Sequence, residues 1–267
     1  MKIKEQIANF FTLMNLASGV MAIIFILTWN FNAACVCVFV GAFFDFFDGF
    51  IARALGITSE MGKQLDSLSD VVTFGVVPGL IAFEFLAFAY VLESYPGEKG
   101  THFRAGYGLS TALQMIAVLI PVFSALRLAK FNIDTTQTKN FRGLPTPANG
   151  LLWASLGITV GHWGNFGLLH SYSGSYYLFL SNILIEGRFL IPLIIIMSLI
   201  LVAPVNLMGM KFDTFTWRGN EVKFSFIGIA IILLVLLGFT AMPIILFLYI
   251  LFSIIHFYIL KRHEIQS

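Results

Sequence analysis

Residues 189–202 read FLIPLIIIMSLILV and contain no charged side chain. A second run, residues 227–237, reads IGIAIILLVLL. Both runs are continuously apolar, whereas a strand of a transmembrane β-barrel alternates apolar and polar residues. Because a bilayer core about 30 Å thick needs about 20 mostly apolar residues per helix, such runs predict membrane-spanning α-helices.

The composition of the whole chain agrees with a membrane protein. Of the 267 residues, 58% are hydrophobic and 11% are charged, and the mean hydropathy is +0.88. Soluble domains carry about 25% charged residues, so a water-soluble globule of this size would lack the charge to cover its surface. The net charge of +2 is too small for a protein that binds nucleic acid through its field, and we predict no nucleic-acid partner.

The hydropathy pattern predicts an all-α integral membrane protein with about eight transmembrane helices. We expect residues 1–267 to form a single membrane domain, in which residues 1–8 lie in the interface as a short amphipathic segment. The predicted spans are residues 10–29, 33–54, 67–91, 108–130, 148–169, 187–208, 223–240 and 242–260.

The distribution of basic residues predicts the orientation. With eight spans, 13 of the 16 Lys and Arg residues fall on one side of the membrane, and only Lys99, Arg104 and Arg188 fall on the other. Loops rich in Lys and Arg stay in the cytoplasm. We therefore expect a protein of the cytoplasmic membrane, with both termini on the cytoplasmic side.

Four aspartates stand where the second span ends and the third begins. Asp45 and Asp48 are three residues apart, and Asp66 and Asp70 are four apart. On helices both spacings place the pair on one face. A charged side chain inside a span costs at least about 2.5 kcal/mol and usually marks function. The alternative is that they are helix caps and solvated loop charges, with Asp66 as an N-cap.

Clustered carboxylates of this kind predict a site for hard cations. Oxygen ligands favour Mg²⁺, Mn²⁺ or Ca²⁺ over zinc, and two carboxylate pairs suit a two-metal site that clamps a phosphoryl group. Gly49 and Gly62 leave room for a ligand to approach the backbone closely. The planar guanidinium of Arg53 matches the oxygens of a diphosphate. Because the loop between the second and third spans falls on the cytoplasmic side in the predicted topology, we expect the cluster to lie on the same side as the termini.

The pattern D-x2-D-G-x2-A-R-x8-G-x3-D-x3-D over residues 45–70 resembles the signature of the CDP-alcohol phosphatidyltransferase family. This resemblance implies transfer of a phosphatidyl or related group from a CDP-linked donor to an alcohol, with release of CMP. It also implies a homodimer with a catalytic six-helix core, here residues 9–209, followed in residues 210–267 by two additional helices. The signature positions are Asp45, Asp48, Gly49, Ala52, Arg53, Gly62, Asp66 and Asp70.

The resemblance also implies roles for single residues. The four aspartates match metal ligands for Mg²⁺ or Mn²⁺, with two ions expected, and Asp70 matches the general base. For Asn9 a helix cap is the alternative. The positions that the resemblance assigns to the CDP donor are Asn9, Thr12, Asp48, Gly49, Ala52, Arg53, Gly62 and Asp66.

Three further stretches resemble the membrane-embedded bacterial phosphatidylserine synthases of this family. They are residues 9–19 (NFFTLMNLASG), 125–132 (ALRLAKFN) and 141–148 (FRGLPTPA). The resemblance implies CDP-diacylglycerol and L-serine as substrates. The candidates that would bind the serine carboxylate are Arg142, Arg127 and Lys130.

Alternatives remain open at this point for these basic residues and for the activity. Arg127 and Lys130 could serve only membrane topology, and Arg142 could meet lipid head groups. The acceptor could instead be glycerol 3-phosphate or inositol phosphate. A protein of another class, an ion-coupled transporter, would use the acids as a cation path, but such sites lie near the bilayer midplane between internal repeats.

Overall fold

Long apolar helices build the protein, as the sequence predicts. The computed structural model describes residues 3–56, 59–94, 109–133, 141–161, 187–208, 217 and 220–266. Within these ranges the α-helices are α1 (Ile3–Leu27), α2 (Phe31–Ala54), α3 (Glu60–Asp70), α4 (Val77–Ser94), α5 (Leu109–Gln114), α6 (Leu119–Ile133), α7 (Thr146–Gly161), α8 (Gly187–Val202), α9 (Glu221–Leu237) and α10 (Met242–Gln266).

Four helical segments are long and apolar enough to cross a membrane, and they coincide with the first four predicted spans. Two shorter apolar segments, Arg188–Val202 and Met242–Ile255, coincide with the sixth and eighth. Helices α7 and α9 lie within or close to the remaining two windows, and the total of eight spans stays a prediction. The four long segments are Glu5–Leu27, Phe31–Ala54, Glu60–Ala87 and Ala112–Ile133.

The helix boundaries differ from the sequence prediction at two places. Helix α1 runs without a break from Ile3, so residues 3–8, expected as part of a separate interfacial segment, continue directly into the first span. Helix α3 begins at Glu60 because the Ser59 side chain caps it by accepting a hydrogen bond from the Gly62 amide. Since α3 begins six residues before Asp66, that aspartate is not the helix N-cap.

A π-helical segment, Val71–Val76, joins α3 to α4. It follows directly after Asp70, the last residue of α3. Short π segments inside α-helices are rare and occur frequently at functional sites. Here the segment lies inside the bundle, because Thr73 and Phe74 are fully buried.

Small residues allow α1 and α2 to pack closely on the π segment. A Cβ added to Gly19 of α1 would lie 2.5 Å from Thr73 Oγ1, and one added to Gly41 of α2 would lie 2.6 Å from Thr73 Cγ2. The Thr73 hydroxyl donates a hydrogen bond to the Asn15 carbonyl at 3.0 Å. In membranes, where lipid is as apolar as the helices, small residues at a helix interface permit the close contact that holds it together.

A two-residue antiparallel ladder joins the segments before α7 and after α8. Strand β1 (Phe141–Arg142) pairs with β2 (Asn206–Leu207). Gly143 follows β1 with φ 81°, a conformation that favours glycine. The hydropathy pattern predicts helices alone and does not reveal this ladder, whose partners are more than 60 residues apart in sequence.

We expect Gly19→Ala to destabilise the protein by about 1–3 kcal/mol, the usual cost of forcing extra atoms into a packed interior. The added methyl would also lie 3.0 Å from the backbone Cα of Thr73, which cannot move without displacing the π segment. Thermal unfolding of the purified protein in detergent measures the effect as a lower Tm. Gly228→Ala is the matched control, since nothing lies within 4 Å of its added methyl. Equal Tm values for the two variants would contradict the close packing.

Candidate active site

Three carboxylates converge where α2 ends and α3 begins. One oxygen of each of Asp45, Asp48 and Asp66 lies within 4.8 Å of the other two. Asp48 is buried, and the other two are half-buried. The i, i+3 spacing on α2 directs both of its aspartates toward α3, as the sequence predicts. We call these three residues the acidic triad.

Asp70, expected both as a metal ligand and as the general base, is not part of the acidic triad but interacts with it through Asp45. It is one turn beyond Asp66 on α3 and is 5% exposed. The side-chain amide of Asn15 on α1 donates a hydrogen bond to Asp70 Oδ1 at 3.1 Å. Asn15 was not singled out by the sequence analysis, although it stands three residues after Thr12 and therefore shares its helix face.

The acidic triad fits a divalent cation. Among the described residues, Asp48 Oδ2 is buried without a hydrogen-bond partner. Three negative charges at this separation repel strongly beside a low-dielectric bundle, and a cation between them removes that cost. Carboxylate oxygens are the ligands that Mg²⁺ and Mn²⁺ prefer.

A pocket of about 400 Å³ opens beside the acidic triad. It contains seven of the eight residues predicted to bind the CDP donor, and the exception is Arg53. The exposed Arg53 side chain nevertheless reaches over Gly49, since its Nη2 would lie 3.9 Å from a Cβ at that position. The pocket is lined by Glu5, Ala8, Asn9, Thr12, Asp48, Gly49, Ala52, Ser59, Glu60, Gly62, Lys63 and Asp66.

The pocket walls are held by contacts between helices that the sequence analysis did not find. The Ser69 hydroxyl on α3 donates to the Thr12 carbonyl on α1 at 3.2 Å. Lys63 Nζ donates to the Asn132 carbonyl at 2.8 Å, and the Asn132 side-chain amide donates to Ser67 Oγ at 2.8 Å. These bonds fix α3 between α1 and the end of α6, so both walls of the pocket keep their separation.

Of the three basic residues predicted to bind the acceptor, Arg127 is the one buried near Asp70. It is 8% exposed, its Nη1 donates to Thr146 Oγ1 at 2.9 Å, and its charge interacts with that of Asp70. Lys130 is exposed. The backbone of Arg142 lies in β1, but its side chain is outside the described residues.

One turn after Thr146, a polar residue on α7 has unused hydrogen-bonding capacity among the described residues. Asn149 is fully buried and stands one turn after Thr146 on the same helix face. In the described part of the chain, neither amide atom of Asn149 has a hydrogen-bond partner, and Arg127 Nε also lacks one. Because buried polar groups are normally paired, these atoms mark a position for a polar ligand or for water. A lone Asn in an apolar run was the only sequence signal.

Comparison with known proteins identifies relatives. A family model described as CDP-alcohol phosphatidyltransferase matches residues 5–169. The chain is 34% identical over 148 residues to the CDP-diacylglycerol–serine O-phosphatidyltransferase of Bacillus subtilis, covering 55% of this chain and 73% of that protein. It is 34% identical over 146 residues to the Helicobacter pylori protein of the same name, covering 54% of each. An archaetidylserine synthase of Methanothermobacter thermautotrophicus is 30% identical over 151 residues, covering 55% and 56%.

The match therefore spans about half the length of two of these relatives and nearly three quarters of the third. Both the acidic triad and the pocket lie within residues 5–169. Helices α8, α9 and α10 lie beyond that range.

We expect Asp48→Asn to weaken Mn²⁺ binding about tenfold or more, since loss even of an outer partner of a metal site costs about 10–100-fold. Titration calorimetry on the purified protein in detergent, with Mn²⁺ alone, measures the affinity. Glu84→Gln is the matched control, because Glu84 lies in α4 about 20 Å along the helix from Asp70. Unchanged Mn²⁺ affinity in Asp48→Asn would count against the triad as a cation site.

Proposed function

The chain belongs to the CDP-alcohol phosphatidyltransferase family, and on that basis we propose that it transfers the phosphatidyl group of CDP-diacylglycerol to L-serine. The products are phosphatidylserine and CMP. The observation that carries the proposal is the acidic triad facing a pocket at one end of the helices. The names of the Bacillus subtilis and Helicobacter pylori relatives support serine as the acceptor.

The pocket is the proposed site for the cytidine nucleotide. Gly49 and Ala52 keep its wall on α2 free of large side chains, and Asn9 offers an amide from α1. The diphosphate would lie between the acidic triad and the guanidinium of Arg53. We propose that the aspartates would hold two divalent ions, Mg²⁺ or Mn²⁺. When bound, such ions neutralise the negative charge of the diphosphate and of the departing CMP.

Asp70 is the proposed general base. Asn15 donates to its Oδ1, which would orient the carboxylate toward the acceptor hydroxyl. The serine hydroxyl oxygen attacks the lipid-side phosphorus, and the bond from that phosphorus to the oxygen of the CMP leaving group breaks. The hydroxyl proton passes to Asp70. Because Asp70 interacts directly with Asp45 of the acidic triad, an acceptor hydroxyl held by Asp70 would lie beside the diphosphate that it attacks.

Arg127 is the proposed partner of the serine carboxylate. Its guanidinium is buried close to Asp70, with Thr146 occupying Nη1 and Nε left unpaired among the described residues. Asn149 would complete the recognition with its free amide. Arg142 and Lys130 remain candidates on the same side of the membrane. A phosphorylated acceptor would call for a denser cluster of basic residues, and Arg127 is the one buried cation among the described residues, which favours serine over glycerol 3-phosphate or inositol phosphate.

We further propose that the pocket faces the cytoplasm and that two copies of the chain associate. The first follows from the 13 basic residues assigned to the cytoplasmic loops, and the second from the family resemblance. A transporter is not favoured, because the chain belongs to a family of phosphatidyltransferases and the acidic triad adjoins a pocket that the last turn of α2 and the first turn of α3 line.

We expect purified protein in mixed micelles to convert CDP-diacylglycerol and labelled serine to phosphatidylserine, because Arg127 and Asp70 suit a carboxylate-bearing alcohol. Parallel reactions with labelled glycerol 3-phosphate and inositol phosphate should give little lipid product. Thin-layer chromatography of the lipid and quantitation of CMP measure the outcome. A lipid product from another acceptor alone would refute the serine assignment and retain the family.

We expect Asp70→Asn to reduce kcat by about 100-fold or more, the contribution typical of a general base. Binding of CDP-diacylglycerol should change little, since Asp70 does not line the pocket. Steady-state kinetics and donor binding by calorimetry measure the two effects. Glu84→Gln removes a carboxylate from the same continuous helical stretch and should retain full activity. Turnover of Asp70→Asn near the wild-type rate would show that the base is another group.

A further inference from the structure

Helix α10 binds the backbone of Met208, the residue after β2. The Tyr249 hydroxyl donates a hydrogen bond to the Met208 carbonyl at 3.0 Å, and the Met208 amide donates to Ser253 Oγ at 3.1 Å. Ser253 in turn donates to the Tyr249 carbonyl at 2.7 Å. Met208 and Ser253 are fully buried and Tyr249 nearly so. Two side chains of α10 thus satisfy both backbone groups of one residue.

The segment bound by α10 holds the loop that leads into α7. Strand β2 pairs with β1, and the Gly143 amide donates to the Val205 carbonyl at 2.9 Å. The Leu144 amide donates to the Ile200 carbonyl at 3.1 Å. A side chain on Gly143 would collide with the Leu201 carbonyl. These hydrogen bonds couple the position of residues 141–144 to that of residues 200–208.

The same loop ends at the acceptor side of the candidate site. Helix α7 begins at Thr146, which accepts the hydrogen bond from Arg127. Arg127 also interacts electrostatically with Asp70. A chain of direct contacts thus connects α10 to the guanidinium that interacts with the proposed base.

On the premise of the proposed function, we propose that Tyr249 and Ser253 are positioning residues for the acceptor end of the active site. Through Met208 and the β1–β2 ladder, α10 holds the start of α7, and thereby Thr146 and Arg127, in place. The C-terminal helix lies outside residues 5–169, the range that matches the family model, yet it belongs to the catalytic unit. The donor pocket, built from α1, α2 and α3, does not depend on these contacts.

Kinetics that separate acceptor from donor test this inference. Tyr249→Phe and Ser253→Ala are expected to raise the KM for serine about fivefold, as loss of one buried hydrogen bond predicts, while the KM for CDP-diacylglycerol stays within about twofold. Ser253→Thr keeps the hydroxyl and should restore the serine KM. Ser155→Ala is the matched control, because within the described part of the chain the Ser155 hydroxyl bonds to Leu152 of its own helix and to no other residue. It should change neither KM.

Gel filtration and the Tm of each variant show whether that variant folds. Tyr249→Phe removes a single oxygen atom, so it can test the inference by itself if Ser253→Thr does not fold. An unchanged serine KM in a folded Tyr249→Phe would overturn the inference. So would an equal rise in both KM values, or a lower kcat alone.

The wild-type acceptor reaction is measured first, which separates the two hypotheses. If the wild type uses another alcohol, the serine assignment fails and the variants are compared with that alcohol, where the same KM split supports the inference. If the wild type transfers to no alcohol, both hypotheses fail.

Discussion

The mutual repulsion of three carboxylates is the constraint on which this structure depends. Asp45, Asp48 and Asp66 are held within 4.8 Å at the edge of an apolar bundle, where charge interactions are weakly screened. No such arrangement forms unless the helices carrying the acids are held together by other contacts. A cation that relieves the repulsion therefore binds a site whose geometry is already set, which is how a preorganised centre gains affinity.

Contacts one to two turns deeper in the bundle supply that restraint. Gly19 and Gly41 bring α1 and α2 against Thr73, and the hydrogen bond from Asn15 ties α1 to Asp70. Each buried hydrogen bond contributes about 1 kcal/mol to stability. Close packing of the helices therefore contributes to holding the aspartates together alongside these bonds. The site is thus rigid on the donor side, where the pocket lies between α1, α2 and α3.

The acceptor side is built differently, from elements distant in sequence. Arg127 comes from α6, Thr146 from α7, and the contacts that steady them pass through the β1–β2 ladder to α10. Separate supports for the two substrates suit an enzyme family in which a common donor meets different alcohols. Under the proposed function, changes in the C-terminal helices would alter acceptor binding and leave the residues that line the pocket unchanged.

The sequence by itself determined the helical class, the first four spans and the pairing of the aspartates, because hydropathy and the i, i+3 and i, i+4 spacings are local properties. Local spacing defines a helix face but not its neighbour. Only the tertiary structure decided that Asn15 meets Asp70, that Arg127 is buried whereas Lys130 is exposed, and that α10 binds the backbone of Met208. Those contacts join residues 41 or more positions apart or depend on helix rotation, which packing alone selects.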